Sequence, residues 1–155
     1  MGGSIICGVD GSGESRVALR VAAQLSGQLG LPLIIAHVSP AAIFAPAVGS
    51  TPVMTPPTVE ELREGRELLE RVVSDEGLGN ASLRSLPGLP AEGLADLADE
   101  EDAAFVVVGS RGRGAFKAAF LGSVSRDLIG VARCPVLVVP SWAAAKTNND
   151  RGGSN

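Results

Sequence analysis

Tyrosine is absent from this chain, and aromatic residues make up only 3% of it. Few flat side chains are therefore on offer for the bases of a nucleic acid to stack upon. A basic surplus is missing too. The formal net charge is −4 at pH 7, which removes the general attraction a phosphate backbone requires. Cysteine is scarce: Cys7 and Cys134 stand far apart in apolar runs, with no CxxC spacing and no His/Cys cluster. Both are expected as buried core thiols rather than metal or redox groups. No apolar run approaches the ~20 residues needed to span a bilayer. Ile5–Val9 is too short for a secretory signal and has no basic leader. The cytoplasm is the expected compartment.

What is present is aliphatic. A length of 155 residues with 45% apolar content suits one domain, with a core of Val, Leu, Ile and Ala. Such a core fits a parallel sheet covered on both faces. Ile5-Ile6-Cys7-Gly8-Val9 reads as a first strand, stopped by Asp10-Gly11-Ser12-Gly13. Val17, Ala18, Val21, Ala22, Leu25 and Leu29 then recur at helical spacing up to Gly30. Leu33–Val38 is a second strand. Thr58-x-x-Glu61 is a capping box for a helix to about Asp75, with Leu62, Leu69, Val72 and Val73 inward and a Glu67–Arg71 pair outward. Ala81–Leu86 is a weaker third strand, and Pro90 opens a helix through about Glu101. Phe105–Val108 is a fourth strand, a helix opens near Gly122-Ser123, and Pro135–Val139 is the fifth strand.

This alternation predicts a single doubly wound α/β domain over residues 1–142, with a parallel sheet and helices on both faces. Residues 143–155 are expected as a disordered tail. Ser39–Pro57 carries five prolines and no charged residue, which excludes a regular helix or a central strand. It is expected as a mobile linker, or as a lid over a ligand or partner surface.

Chemistry concentrates at the end of the fourth strand, in Gly109-Ser110-Arg111-Gly112-Arg113-Gly114 and then Gly122-Ser123-Val124-Ser125. Glycine lets main-chain N–H groups approach an anion and permits positive φ. Ser123, Val124 and Ser125 supply the unsatisfied N–H groups of a helix N-terminus. Arg111, Arg113 and Lys117 lie between, and no acidic residue occurs from Ala103 to Arg126. Other phosphate loops do not match. A Walker A loop needs Lys-Ser/Thr after its last glycine, and a dinucleotide fingerprint from Gly112 needs glycine where Lys117 stands. A structural glycine turn is the remaining alternative to an anion site. In doubly wound sheets ligands gather at strand C-termini, which brings Asp10 into play if the first and fourth strands are neighbours.

Gly109-x2-Gly112-x9-Gly122-Ser123 resembles the signature of nucleotide-binding universal stress proteins. Val9-Asp10-Gly11-Ser12, His37-Val38, Gly88-x-Pro90 and Cys134-Pro135-Val136-Leu137-Val138-Val139 resemble further marks of that family, in order. The resemblance implies strand order 3-2-1-4-5. It implies ATP, or AMP or cyclic AMP, as cofactor, with adenine against Gly8, Val9 and the Val38 backbone. Asp10 would contact ribose or a magnesium ion (Mg2+). Val108, Gly109, Gly112 and Arg113 would cradle ribose and phosphates, and Gly122, Ser123, Val124 and Ser125 would complete the phosphate site. A homodimer through Val136–Val139 is implied as well. His37 lacks a partner constellation for catalysis. The expected function is regulation or sensing by nucleotide binding. Slow ATP hydrolysis or nucleotidyl transfer, and a nucleotide-free dimeric interaction protein, stand as alternatives.

Overall fold

The computed structural model describes residues 2–111 and 121–143. Ile5–Gly8 forms β1, and every residue of it is apolar or small because it lies at the centre of the sheet. After α1 (Gly13–Leu29) come β2 (Leu33–Pro40), β3 (Ala42–Phe44), β4 (Val53–Thr55) and α2 (Val59–Glu76). Then follow β5 (Ser82–Gly88), α3 (Pro90–Glu100), β6 (Phe105–Gly109), α4 (Ser123–Val131) and β7 (Val136–Val139). The main sheet has five parallel strands in the order β5-β2-β1-β6-β7. Counting only these strands, that is the order 3-2-1-4-5.

Strand alternation divides the core in two. Ile5, Cys7, Leu33, Ile35 and Val107 pack with Ala18, Leu19 and Ala22 of α1 and Leu69 and Val72 of α2. Ile6, Ile34, Ala36, Val38, Val106 and Val108 pack with Leu94 and Leu97 of α3 and Leu128 of α4. With an apolar layer on each face, the inner strands have no polar side to show, hence their continuous apolar reading. Across the first layer, Arg20 grips Glu76 through Nε and Nη2 at 2.8 and 3.0 Å, tying α1 to α2.

The helix starts follow their capping residues. The Ser12 hydroxyl accepts from Ser15 N–H, and Thr58 and Glu61 form the complete capping box. Both helices end on glycines in the left-handed region, Gly30 and Gly77 at φ 67°.

Four expectations need revision. In α1 Ala18 and Ala22 are fully buried as expected, Leu19 joins them, and Leu29 is exposed at the last turn. Glu67 pairs with Arg63 at 3.4 Å, one turn before it, rather than with Arg71; Arg63 also holds Glu60 and so lies between two acids. β5 runs on to Gly88, which Pro87 permits because β5 is an edge strand paired only with β2. The proline-rich segment holds an antiparallel hairpin, with Ala42, Ile43 and Phe44 opposite Thr55, Met54 and Val53. Its prolines fall outside the two three-residue strands, so no rung is lost. All but the first residue of the expected tail lies outside the described residues.

Cys7 is fully buried, and burial pushes its thiol far up. Cys134 is partly buried and is also raised, mainly by desolvation.

Candidate functional site

The carboxyl ends of β1, β2 and β6 open into one cleft of about 750 Å³, a size that suits a small organic ligand. Its wall is built from strand ends and helix starts. Gly8, Val9 and Asp10 come from β1 and the turn after it, Val38 from β2, and Val108, Gly109 and Arg111 from β6 and beyond. Gly122, Ser123, Val124 and Ser125 come from the start of α4. These eleven residues were singled out in the sequence and are brought together here. Gly112 and Arg113, with Gly114 and Lys117, lie outside the described residues.

The turn after β1 is knotted by short polar side chains. Asp10 Oδ1 accepts from Ser12 N–H at 2.9 Å and from the Ser12 hydroxyl at 2.5 Å. Asp10 N–H donates to Ser15 Oγ at 3.4 Å, and Gly11 takes φ 83°. Asp10 therefore stabilises this turn, whatever else it contacts.

On the facing side, Ser110 pins both ends of the glycine segment. Its N–H donates to Val139 O at 2.9 Å, and its carbonyl accepts from Gly122 N–H at 2.6 Å. The buried Ser125 hydroxyl stands 3.3 Å from the Ser110 carbonyl and 3.1 Å from that of Gly122.

The first turn of α4 differs from those of α1 and α2. Its N-cap is Gly122, which has no side chain to offer, and the first helical bond is Arg126 N–H to Gly122 O at 3.1 Å. The N–H groups of Ser123, Val124 and Ser125 have no acceptor among the described residues, and all three residues line the cleft. They carry the positive end of the helix dipole. Arg111 and Arg126 line this side, whereas Glu61 and Glu64 of α2 line the far side, so the cleft runs from basic to acidic.

Glycine serves for reasons other than positive φ at two positions. Gly122 has φ −71°. A Cβ on Gly109 would lie 3.0 Å from the main chain of Glu14, so the end of β6 needs glycine to fit beneath α1. That close packing explains Gly109 without any ligand.

The sequence reading missed the α2 side of the cleft. His37, Ser39, Glu61, Glu64, Gly65 and Leu68 form it. Gly65 is the available signal: a Cβ there would sit 2.8 Å from His37 Cδ2 and from Ser39 Oγ, so α2 crosses β2 at contact distance. No residue from Ala41 to Glu60 lines the cleft, so the hairpin forms no part of its wall. Among the described residues no three His, Cys, Asp or Glu side chains are grouped as metal ligands. Nor is any described helix long and apolar enough to cross a membrane.

Known proteins share this architecture. Universal stress protein YxiE of Bacillus subtilis is 31% identical over 144 residues, covering 87% of this chain and 97% of that protein. Universal stress protein Rv2005c of Mycobacterium tuberculosis is 34% identical over 146 residues, but the chain spans only 48% of its length. A universal stress protein of Archaeoglobus fulgidus, solved with dAMP, superposes with a TM-score of 0.61 at 28% identity, over 89% of this chain and 98% of that one. Residues 1–140 match the profile of the universal stress protein family. On that match, together with the strand order, the chain belongs to the universal stress protein family.

Proposed function

We propose that this protein binds an adenine nucleotide, ATP foremost, and acts as a stress-response regulator or sensor through occupancy rather than rapid turnover. One observation carries the reading: the three residues opening α4 line the cleft, and their N–H groups have no acceptor among the described residues. A phosphate satisfies such groups and their dipole together. Gly122, Ser123, Val124 and Ser125 would hold the phosphates, with Arg111, Gly112 and Arg113. Val108, Gly109 and Asp10 would meet the ribose. Gly8, Val9 and the Val38 main chain would take the base. Magnesium would arrive with the phosphates and use Asp10 as its protein carboxylate, in keeping with its habit of pairing one or two carboxylates with phosphate oxygens.

Related structures support the ligand class. The universal stress protein solved with cAMP is 28% identical and superposes with a TM-score of 0.57, and the Archaeoglobus protein carries dAMP. AMP and cyclic AMP are accordingly the competing ligands. The sequence has no Walker-type Lys-Ser/Thr after its glycines, so any ATP hydrolysis should be slow. β7, a sheet edge paired only with β6, would join a second copy. The cytoplasm is the proposed compartment. The chain spans about half the length of the mycobacterial relatives it matches.

Gly122→Asp tests the site. Gly122 has φ −71° and ψ 168°, which suits an aspartate N-cap, and its carboxylate would bond the amides that an anion needs. Calorimetry should show ATP affinity reduced at least ~100-fold, with the melting temperature of the free protein unchanged or slightly raised. Wild-type affinity in the folded variant would place the phosphate elsewhere. Parallel titrations with ATP, AMP and cyclic AMP rank the ligands.

A further inference from the structure

Adjacent strands of a parallel sheet turn alternate residues toward each other. Val9 N–H donates to Ala36 O at 2.9 Å, so Ile34, Ala36 and Val38 of β2 direct their main-chain groups toward β1. The same phase calls for one more rung, from Val38 N–H to the Val9 carbonyl. That rung is not made, since the register ends at Gly8 opposite Ala36. The Val9 carbonyl lies instead 2.8 Å from His37 Nδ1. A carbonyl oxygen only accepts, so Nδ1 carries the proton. The ring has little room to leave: a Cβ on Gly65 would lie 2.8 Å from His37 Cδ2.

We infer that His37 is a positioning residue that occupies the Val9 carbonyl, holds the last β1–β2 rung open and so keeps Val38 N–H available to a ligand. The base-recognition part rests on the nucleotide reading above; the open rung does not. Adenine carries an acceptor, N1, beside a donor, the N6 amine. The N–H and carbonyl of Val38, both directed to the β1 side by the strand phase in a residue that lines the cleft, complement that edge. Hypoxanthine reverses the pattern with N1–H and a carbonyl, leaving a donor facing a donor. A closed rung would consume the N–H and draw the end of β1 toward β2.

Amide exchange followed by NMR reads the rung directly. In the unliganded wild type, Val38 should exchange roughly 100-fold faster than Ala36, and ATP should slow it. In His37→Leu the freed Val9 carbonyl should take the Val38 amide. Its exchange should then slow without ligand, and ATP affinity should fall about tenfold. Affinity for inorganic tripolyphosphate should not change. His37→Asn, which retains a donor, should keep wild-type exchange and affinity. Val38 as protected as Ala36 in the unliganded wild type overturns the inference, and this arm decides the matter alone if His37→Leu does not fold. Unchanged ATP affinity in folded His37→Leu also overturns it. A wild type that binds no ATP sinks the nucleotide reading and the base-recognition part with it, while the exchange comparison still decides whether the rung is open.

Discussion

Gly65→Ala sets two opposed effects against each other. In a helix interior alanine is favoured over glycine by about 1 kcal/mol. At this position, however, the new Cβ would lie 2.8 Å from His37 Cδ2, 2.8 Å from Ser39 Oγ and 3.2 Å from Ser85 Oγ. Ordinary contact begins at 3.4 Å, so α2 would have to lift away from both β2 and β5. The His37 ring cannot yield without stretching its 2.8 Å bond to Val9. Overpacking of this kind costs about 1–3 kcal/mol, and with three neighbours on two strands the upper half applies. The net loss is then about 1–2 kcal/mol, or a melting temperature lower by about 3–6 °C in a chain of this size. Gly27→Ala in α1 is the control, since nothing lies within 4 Å of its Cβ. It should gain up to about 1 kcal/mol. Thermal and urea unfolding of both variants give the answer. If Gly65→Ala is as stable as the wild type or rises with Gly27→Ala, the close crossing of α2 over β2 is wrong.

Leu137→Lys places a charge on the exposed edge of β7 and should give monomers in light scattering, whereas an unchanged dimer would remove that edge from the interface. The N–H and hydroxyl of Thr58 hold the Glu61 carboxyl below its ordinary value of 4.5. A carboxyl lowered in the folded state adds stability above its unfolded value and loses that contribution as pH falls through the lowered one. Denaturation midpoints measured at and below pH 4.5 should therefore fall less steeply in Glu61→Gln than in the wild type; parallel curves would refute a role for the capping box. Cys7 should stay silent to a thiol reagent in the native protein and react only on unfolding, with Cys134 labelled first by mass spectrometry.

Much of the site was legible because the strands end on turn-forming residues. Asp10-Gly11-Ser12 after β1 and Gly109 at the end of β6 announce where two chain reversals occur, and an alternating α/β chain puts ligands at such reversals. The free N–H groups of Ser123, Val124 and Ser125 were legible too, though that Gly122 rather than Ser123 is the N-cap was not. Legibility failed where the cause lies across the fold. Gly109 has a second reason to be glycine, its close approach to the backbone of α1, which sequence alone does not show. His37 looked inert because its bond to the Val9 carbonyl joins residues 28 positions apart in the sequence. The hairpin was hidden by its brevity, with three-residue strands among prolines giving no period to read. Arg63 sits within reach of acids at both i−3 and i+4, a choice that spacing alone leaves open.

The middle strand has its two neighbours at very different distances along the chain. β1 meets β2 with Ile5 opposite Leu33, but its other edge waits for Phe105. During synthesis the first half of the sheet is therefore finished long before the second arrives, and one apolar border remains bare for the translation of some seventy residues. Contacts this remote in sequence make folding slow, and an open border is where nascent chains stick to one another. Fragments ending before Phe105 should depend on a chaperone or precipitate, although they contain β1, β2 and β5 whole.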